Sequence, residues 1–146
     1  MKHVSLNNND NHIHRDLIEG IVRTVQQTIH GKCDIYLFGS QSSDSVNDNS
    51  DIDIALRTVE LISLEILWSL RNQLESLCSR DIDLVDLNTC STVMRMQVVS
   101  KGKRIFSVNE SESECFENYV FSSYARLNEE RAEILKDIED KGSVYG

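Results

Sequence analysis

Two alternating carboxylates follow a glycine–serine pair in this sequence, and their types and spacing suit phosphate chemistry. Gly39 and Ser40 close a short apolar run at 34–38, and ten residues separate them from Asp51 and Asp53. Glycine lets the backbone turn tightly towards a phosphate, and serine can donate hydroxyl and amide hydrogen bonds to it. Alternate strand residues share a face, and Mg²⁺ prefers carboxylate and phosphate oxygens. The pattern therefore predicts a site for a metal-bound triphosphate.

A third carboxylate, Asp83, lies in the middle of the next apolar strand pattern, at 81–87. A buried acid in an aliphatic strand costs several kcal/mol unless it is paired or metal-bound. Three carboxylates would let two Mg²⁺ ions lie side by side, one activating an attacking hydroxyl and one neutralising departing pyrophosphate. Asp81 would share the face of Asp83 but begins the strand, and Asp86 should point the other way. We expect both of these to be solvated.

Other residues are weaker candidates for a catalytic role. Ser40 could act as a covalent nucleophile, but no histidine or lysine base lies near it in the sequence, so phosphate binding is preferred. Each motif alone is often structural, whereas their conjunction favours a metal–triphosphate site. We expect structural or surface roles for the four histidines, His3, His12, His14 and His30.

Hydrophobic periodicity predicts the elements that would position these residues. Residues 1–12 are polar and asparagine-rich and are expected to form a flexible arm, followed by a single domain at 13–146. The fold class is α/β (α+β), a small mixed sheet with helices packed on it. The predicted order is a helix over 13–30, strands at 34–38 and 51–56, a helix over 61–77, a strand at 81–87, a short helix at 92–99, a strand at 104–108 and a long C-terminal helix over 111–140.

Composition limits the partners and the compartment. With 15 Lys and Arg against 24 Asp and Glu, the formal charge is −9, so the chain repels phosphate backbones and a basic protein is a better partner than nucleic acid. No apolar run approaches the ~18 residues of a spanning helix, so we expect no membrane association and a cytoplasmic protein. Without zinc-site or redox spacing, the cysteines are expected to be small buried hydrophobes; they are Cys33, Cys78, Cys90 and Cys115.

The motifs resemble a known family. Gly39-Ser40, ten residues and then Asp51-x-Asp53 resemble the signature of the minimal nucleotidyltransferases of the DNA polymerase β superfamily. The segment 82–87 resembles their third-carboxylate strand. The C-terminal stretches 124–131, 134–138 and 142–146 resemble the MntA-type antitoxins that are encoded beside HEPN ribonuclease toxins. The similarity covers about residues 13 to 146.

This resemblance implies a polymerase β-like fold and a protein adenylyltransferase. The enzyme would move AMP from ATP to a tyrosine of its HEPN toxin, neutralising the toxin within a hetero-oligomeric complex. By the same resemblance, Gly39 and Ser40 would hold the triphosphate, and Asp51 and Asp53 would ligate Mg²⁺. Asp83 would complete the metal site and assist deprotonation of the tyrosine.

The sequence departs from the family pattern at one point, and it leaves two alternative functions open. Many relatives carry a basic residue and a glycine soon after Gly-Ser, whereas the loop 41–50 here holds Asp44, Asp48 and no cation. The phosphate charge would then be left to the metals. The chain could instead neutralise a toxin by binding alone through its C-terminal helix, although such apolar stripes more often pack inside their own domain. A small-molecule nucleotidyltransferase would usually need a further helical domain.

Overall fold

The computed structural model describes residues 12–39 and 51–142, with side chains from Arg15 onwards. The predicted order of helices and strands is confirmed in these ranges. The predicted arm at 1–12 lies outside them except for His12, which begins the first helix. The elements are α1 (His12–Thr28), β1 (Cys33–Phe38), β2 (Ile52–Thr58), α2 (Leu64–Cys78), β3 (Ile82–Asp86), α3 (Thr92–Lys101), β4 (Lys103–Phe106) and α4 (Glu110–Asp140).

The four strands form one mixed sheet in the order β3-β2-β1-β4. β1 runs antiparallel to both β2 and β4, whereas β2 and β3 are parallel. A parallel pair needs a long crossover connection, which α2 supplies. Ser63 fixes the start of α2 because its side chain accepts a hydrogen bond from the amide of Ile66.

One face of the sheet carries the main core. Alternate residues of β2 point to this face, and Ile52, Ile54 and Leu56 are all fully buried there. Helices α1 and α2 cover the face, with Leu70 and Leu74 as the buried positions of α2. Full burial of such a side chain stabilises a fold by roughly 1.5–3 kcal/mol. The rest of the buried cluster comprises Ile18, Ile21, Val22, Val25, Ile29, Cys33, Ile35, Leu37, Ile82 and Ile105.

The opposite face holds a smaller core and two polar networks that attach α4. Arg57 donates to buried Asp34 at 2.7 Å, and its guanidinium lies 5.2 Å from the ring centroid of Phe116 in α4. Glu117, also in α4, accepts hydrogen bonds from the Tyr36 hydroxyl at 3.1 Å and from Arg104 at 3.0 Å. The small core is formed by Tyr36, Ala55, Leu87 and Val98.

The expectation that Asp86 is solvated is wrong. The side chain is 8% exposed, and its carboxylate accepts a hydrogen bond from the amide of Asn88 at 2.9 Å. Its backbone carbonyl also accepts from Thr89 and Cys90. Asp86 therefore caps the turn that ends β3, which is a frequent role of aspartate. Asp81, by contrast, is exposed as expected.

Two expectations about apolar residues also need correction. All four cysteines are free thiols, but only Cys33 is buried and Cys115 is exposed on α4. The second half of α4 does not pack on the sheet, because every residue over 128–140 is exposed. None of the helices within the described ranges combines the length and apolar composition of a bilayer span.

The burial of the Arg57–Asp34 pair predicts that replacing its arginine costs more stability than replacing the arginine of an exposed ion pair. Arg57→Met leaves the Asp34 carboxylate buried without its cation, so we expect urea denaturation to show a loss of about 3–5 kcal/mol in the free energy of unfolding. Arg71→Met is the matched control, because Arg71 pairs with Glu75 on an exposed helix surface and should cost less than about 1 kcal/mol. Equal losses in the two variants would contradict this role.

Candidate active site

The sheet places two of the predicted carboxylates directly opposite each other. Asp53 in β2 pairs in register with Asp83 in β3 on one side and with Phe38 at the end of β1 on the other. Asp53 is half-buried, whereas Asp83 is exposed. Asp51 immediately precedes β2 and is also exposed. The predicted grouping of Asp53 with Asp83 is therefore a consequence of strand register.

Gly39 lies against the Asp53 carboxylate, and only glycine suits its position. Its φ of +69° belongs to the left-handed region, which L side chains rarely adopt. A Cβ atom here would overlap the Asp53 carboxylate and lie 3.1 Å from its Cγ. Glycine thus permits both the turn after β1 and the close approach of the carboxylate.

The end of α3 supports β1 immediately below this turn. A Cβ atom on Gly102 would lie 2.9 Å from the carbonyl oxygen of Leu37 and 3.1 Å from the Cβ of Phe38. Any larger residue would push the backbone segments apart, because the Leu37 carbonyl belongs to a strand and cannot yield as a flexible side chain could. Close packing of α3 therefore helps to hold the strand end that leads into Gly39.

The surroundings of Asp53 disfavour the ionised form of its carboxyl group. Burial raises the pKa of its carboxyl, and the neighbouring carboxylates of Asp83 and Asp51 raise it further. Both causes disfavour the charged form. A divalent cation would offset both, and three hard carboxylate donors match the preference of Mg²⁺. The residues present therefore fit such an ion.

The metal site as a whole stays a prediction. Within residues 12–39 and 51–142, no three acidic, histidine or cysteine side chains already converge as metal ligands. A bound cation would have to draw Asp51, Asp53 and Asp83 closer together. Ser40 and the acidic loop at 41–50 lie outside the described residues, so the phosphate-binding role of Ser40 also stays a prediction.

Sequence reasoning missed an apolar groove on the α2 side of the sheet, the face opposite the carboxylates. It measures about 500 Å³, and it lies between α2 and Leu84, the residue that follows Asp83 in β3. Leu64 and Trp68 line it and are 83% and 67% exposed. Their four-residue spacing in α2 was visible, but it indicated a buried helix face rather than an exposed surface.

The fold and the family agree. The family described as "Polymerase beta, Nucleotidyltransferase" matches residues 23–111, which include all four strands and the three aspartates. The chain belongs to this nucleotidyltransferase family. A curated relative is the protein adenylyltransferase MntA of Shewanella oneidensis, which is 39% identical over 104 residues, covering 71% of this chain and 74% of the relative.

Two solved structures extend the family likeness to toxin–antitoxin complexes. One is a tri-AMPylated Shewanella oneidensis HEPN toxin in complex with MNT antitoxin, matched at a TM-score of 0.72 and 33% identity over 86% of this chain and 98% of the solved chain. The other is a toxin–antitoxin complex with AMP-PNP, matched at 0.74 and 36% identity over 83% and 97%. The chain is thus an MntA-type minimal nucleotidyltransferase.

Replacement of Gly39 should separate the effect of backbone strain from the effect of crowding in the candidate site. Gly39→Ala adds both an unfavourable φ and a clash with Asp53. Gly31→Ala is the control, because Gly31 also has a positive φ of +149° but no atom within 4 Å of an added Cβ. We expect each variant to lose about 1 kcal/mol or more of unfolding free energy. Only Gly39→Ala should also weaken binding of AMP-PNP with Mg²⁺ in calorimetry, and equal binding by both would contradict the clash.

The raised pKa of Asp53 predicts a pH-dependent gain in stability for Asp53→Asn without metal. Below the ordinary aspartate pKa of 3.8, the carboxyl is protonated in both folded and unfolded chains, so wild type and variant should have similar stability. As the pH rises through the raised value, the folded wild type must ionise an unfavourably placed group and loses stability relative to the variant. Asp53→Asn should therefore be the more stable protein at pH 7.

The pH prediction can be measured by urea denaturation between pH 3.5 and pH 7 in a buffer that contains EDTA. Asp81→Asn is a matched control, because Asp81 is exposed and is not among the groups that raise the pKa of Asp53. A stability difference for Asp53→Asn that does not grow with pH would refute the electrostatic account.

Proposed function

We propose that this chain transfers AMP from ATP to a tyrosine hydroxyl of a HEPN-type toxin and so neutralises the toxin. The observation that carries the proposal is the register of Asp53 against Asp83 beside Gly39. It occurs in a chain that is 39% identical to a protein adenylyltransferase. A structural relative is a complex that contains a tri-AMPylated toxin, which supports a protein as the AMP acceptor.

In this proposal the three aspartates are the ligands of Mg²⁺. Bound Mg²⁺ would supply charge neutralisation for the triphosphate and would lower the pKa of a nearby hydroxyl. Gly39 leaves the end of β1 open to the phosphates, and Ser40 would donate hydrogen bonds to them. Asp83 is exposed, so an incoming protein side chain can reach it, and in this proposal it assists deprotonation of the tyrosine.

The transfer itself needs no covalent intermediate on this chain. The tyrosine oxygen forms a bond to the α-phosphorus, the bond from that phosphorus to the bridging oxygen breaks, and pyrophosphate leaves with the electron pair. The hydroxyl proton passes to Asp83 and then to solvent. The chain contributes mainly by orienting the reactants and by stabilising charge.

The charge of the chain suits a ribonuclease as the acceptor protein. A ribonuclease binds a polyanion and therefore presents a basic surface, whereas this chain has a formal charge of −9. The same charge disfavours direct contact of this chain with RNA or DNA. We propose that the antitoxin and its toxin form a cytoplasmic hetero-oligomer.

Neutralisation by binding alone is the second candidate. The exposed second half of α4 favours it, because large apolar side chains such as Ile134 and Leu135 remain about 60% exposed there. Such a surface could hold a toxin without any chemistry. The two candidates differ in whether the carboxylates are needed.

The deciding experiment mixes the purified chain with the HEPN protein encoded beside it, ATP and Mg²⁺, and measures the intact mass of the HEPN protein. Wild type should add one or more AMP units, and EDTA should abolish the gain. An Asp51→Asn, Asp53→Asn double variant should slow the transfer by at least about a hundredfold, because the charge stabilisation at the phosphates is lost.

Asp81→Asn is the control variant, since it removes a neighbouring exposed carboxylate outside the proposed ligand set and should label as wild type does. RNase activity of the HEPN protein is assayed in parallel. If wild type adds no mass while the wild type and the double variant silence the RNase equally, the transferase proposal is overturned in favour of binding alone.

A further inference from the structure

The long helix α4 divides into two halves with different surroundings. Its first half packs on the domain through one stripe of buried and half-buried residues, and its second half, over 128–140, is exposed at every position. At 1.5 Å per residue, these thirteen residues form about 20 Å of helix without cover from the domain. The stripe of the first half comprises Ser113, Phe116, Val120, Tyr124 and Leu127.

The apolar stripe of α4 continues beyond the half of the helix that packs on the domain. Ile134 and Ile138 follow Leu127 by seven and eleven positions, so they lie on the same side of the helix. They are 59% and 58% exposed, and the adjacent Leu135 is 62% exposed. Large aliphatic residues at this spacing are the anchors by which an amphipathic helix occupies an apolar groove of another protein.

Acidic residues surround these anchors. Residues 128–140 contain six carboxylates against two cations. The last turn of α4 has no basic residue, and Asp137, Glu139 and Asp140 stand at the negative end of the helix dipole, where carboxylates are unfavourable. The contact of Lys141 with Asp137 is 3.9 Å long and more than 70% exposed, so it offsets little of this charge.

We propose that residues 128–140, hereafter the distal segment, dock into an apolar groove of the partner toxin that is rimmed by Lys and Arg. The stripe fits the groove, and the carboxylates pair with the basic rim. A second copy of this chain fits poorly, because two distal segments side by side would bring acidic flanks together. The identification of the partner as the toxin rests on the proposed function.

The distal segment lies on a different element from the carboxylates, so docking and AMP transfer can be separated. Docking holds the toxin close and raises the effective concentration of its tyrosine at the site. Loss of docking should therefore increase the toxin concentration needed for half-maximal transfer and leave the rate at saturating toxin nearly unchanged.

The test compares two matched double variants of the full chain. Ile134→Gln with Ile138→Gln removes the anchors with a good helix former, and Leu64→Gln with Trp68→Gln makes the same kind of change in the exposed groove by β3. Circular dichroism checks that both stay folded. Affinity for the HEPN protein is measured by calorimetry without ATP, and AMP transfer is then followed by intact mass over a range of toxin concentrations.

We expect the distal variant to bind at least about tenfold more weakly and to transfer AMP at an unchanged saturating rate. Glu130→Gln with Asp137→Asn should weaken binding and reduce its dependence on salt. Unchanged affinity of the distal variant overturns the docking proposal, whatever the groove variant does. So does a change confined to self-association of this chain, which light scattering would detect.

The outcomes also separate this inference from the proposed function. AMP transfer by wild type, with affinity unaffected in the distal variant, refutes docking and leaves the transferase intact. Binding that depends on the distal segment, with no transfer by wild type, supports docking and refutes the transferase.

Discussion

The pairing of Asp53 with Asp83 in neighbouring strands is the constraint on which the rest of the structure depends. Burial disfavours the charged form of Asp53, and the neighbouring carboxylates of Asp83 and Asp51 add to that cost. The other face of the same strands offsets this cost, because Ile52, Ile54 and Ile82 are buried there and each contributes roughly 1.5–3 kcal/mol. The core therefore holds two carboxylates together that would otherwise separate.

In β2, residues that stabilise the core alternate with residues of the candidate site. A one-residue slip of β2 would move the isoleucines into solvent and the carboxylates into the core, so the apolar residues also fix the register of the site. Gly39 completes the constraint, since any side chain there would displace the Asp53 carboxylate. Apolar residues and a glycine thus determine the position of the carboxylates.

The grouping of Asp53 with Asp83 could be predicted because its signals are local. Alternation within β2 and the position of Asp83 in the next strand gave the carboxylate face directly from the sequence. Asp86 was misjudged because its burial comes from a turn that it caps itself, and an alternating pattern contains no information about turns. The Arg57–Asp34 pair was missed because it depends on which strand residues are neighbours, which the register alone decides.

The same limit explains the error on α4. Periodicity identified the apolar side of the helix, but it could not show where the domain beneath that side ends. The distal segment is exposed because the helix is longer than the part of the domain on which it packs. Trp68 was missed in a similar way, because an apolar residue at helical spacing indicates a buried face whether or not another element covers it.

Attachment of α4 connects the candidate active site with the distal segment. Glu117 binds the Tyr36 hydroxyl and Arg104, and Phe116 packs over Arg57. Tyr36 lies in β1 two residues before Phe38, the direct neighbour of Asp53. The first half of α4 is thereby fixed to the same strands that carry the carboxylates. A partner bound to the distal segment would consequently be held near the carboxylates, which raises its effective concentration there.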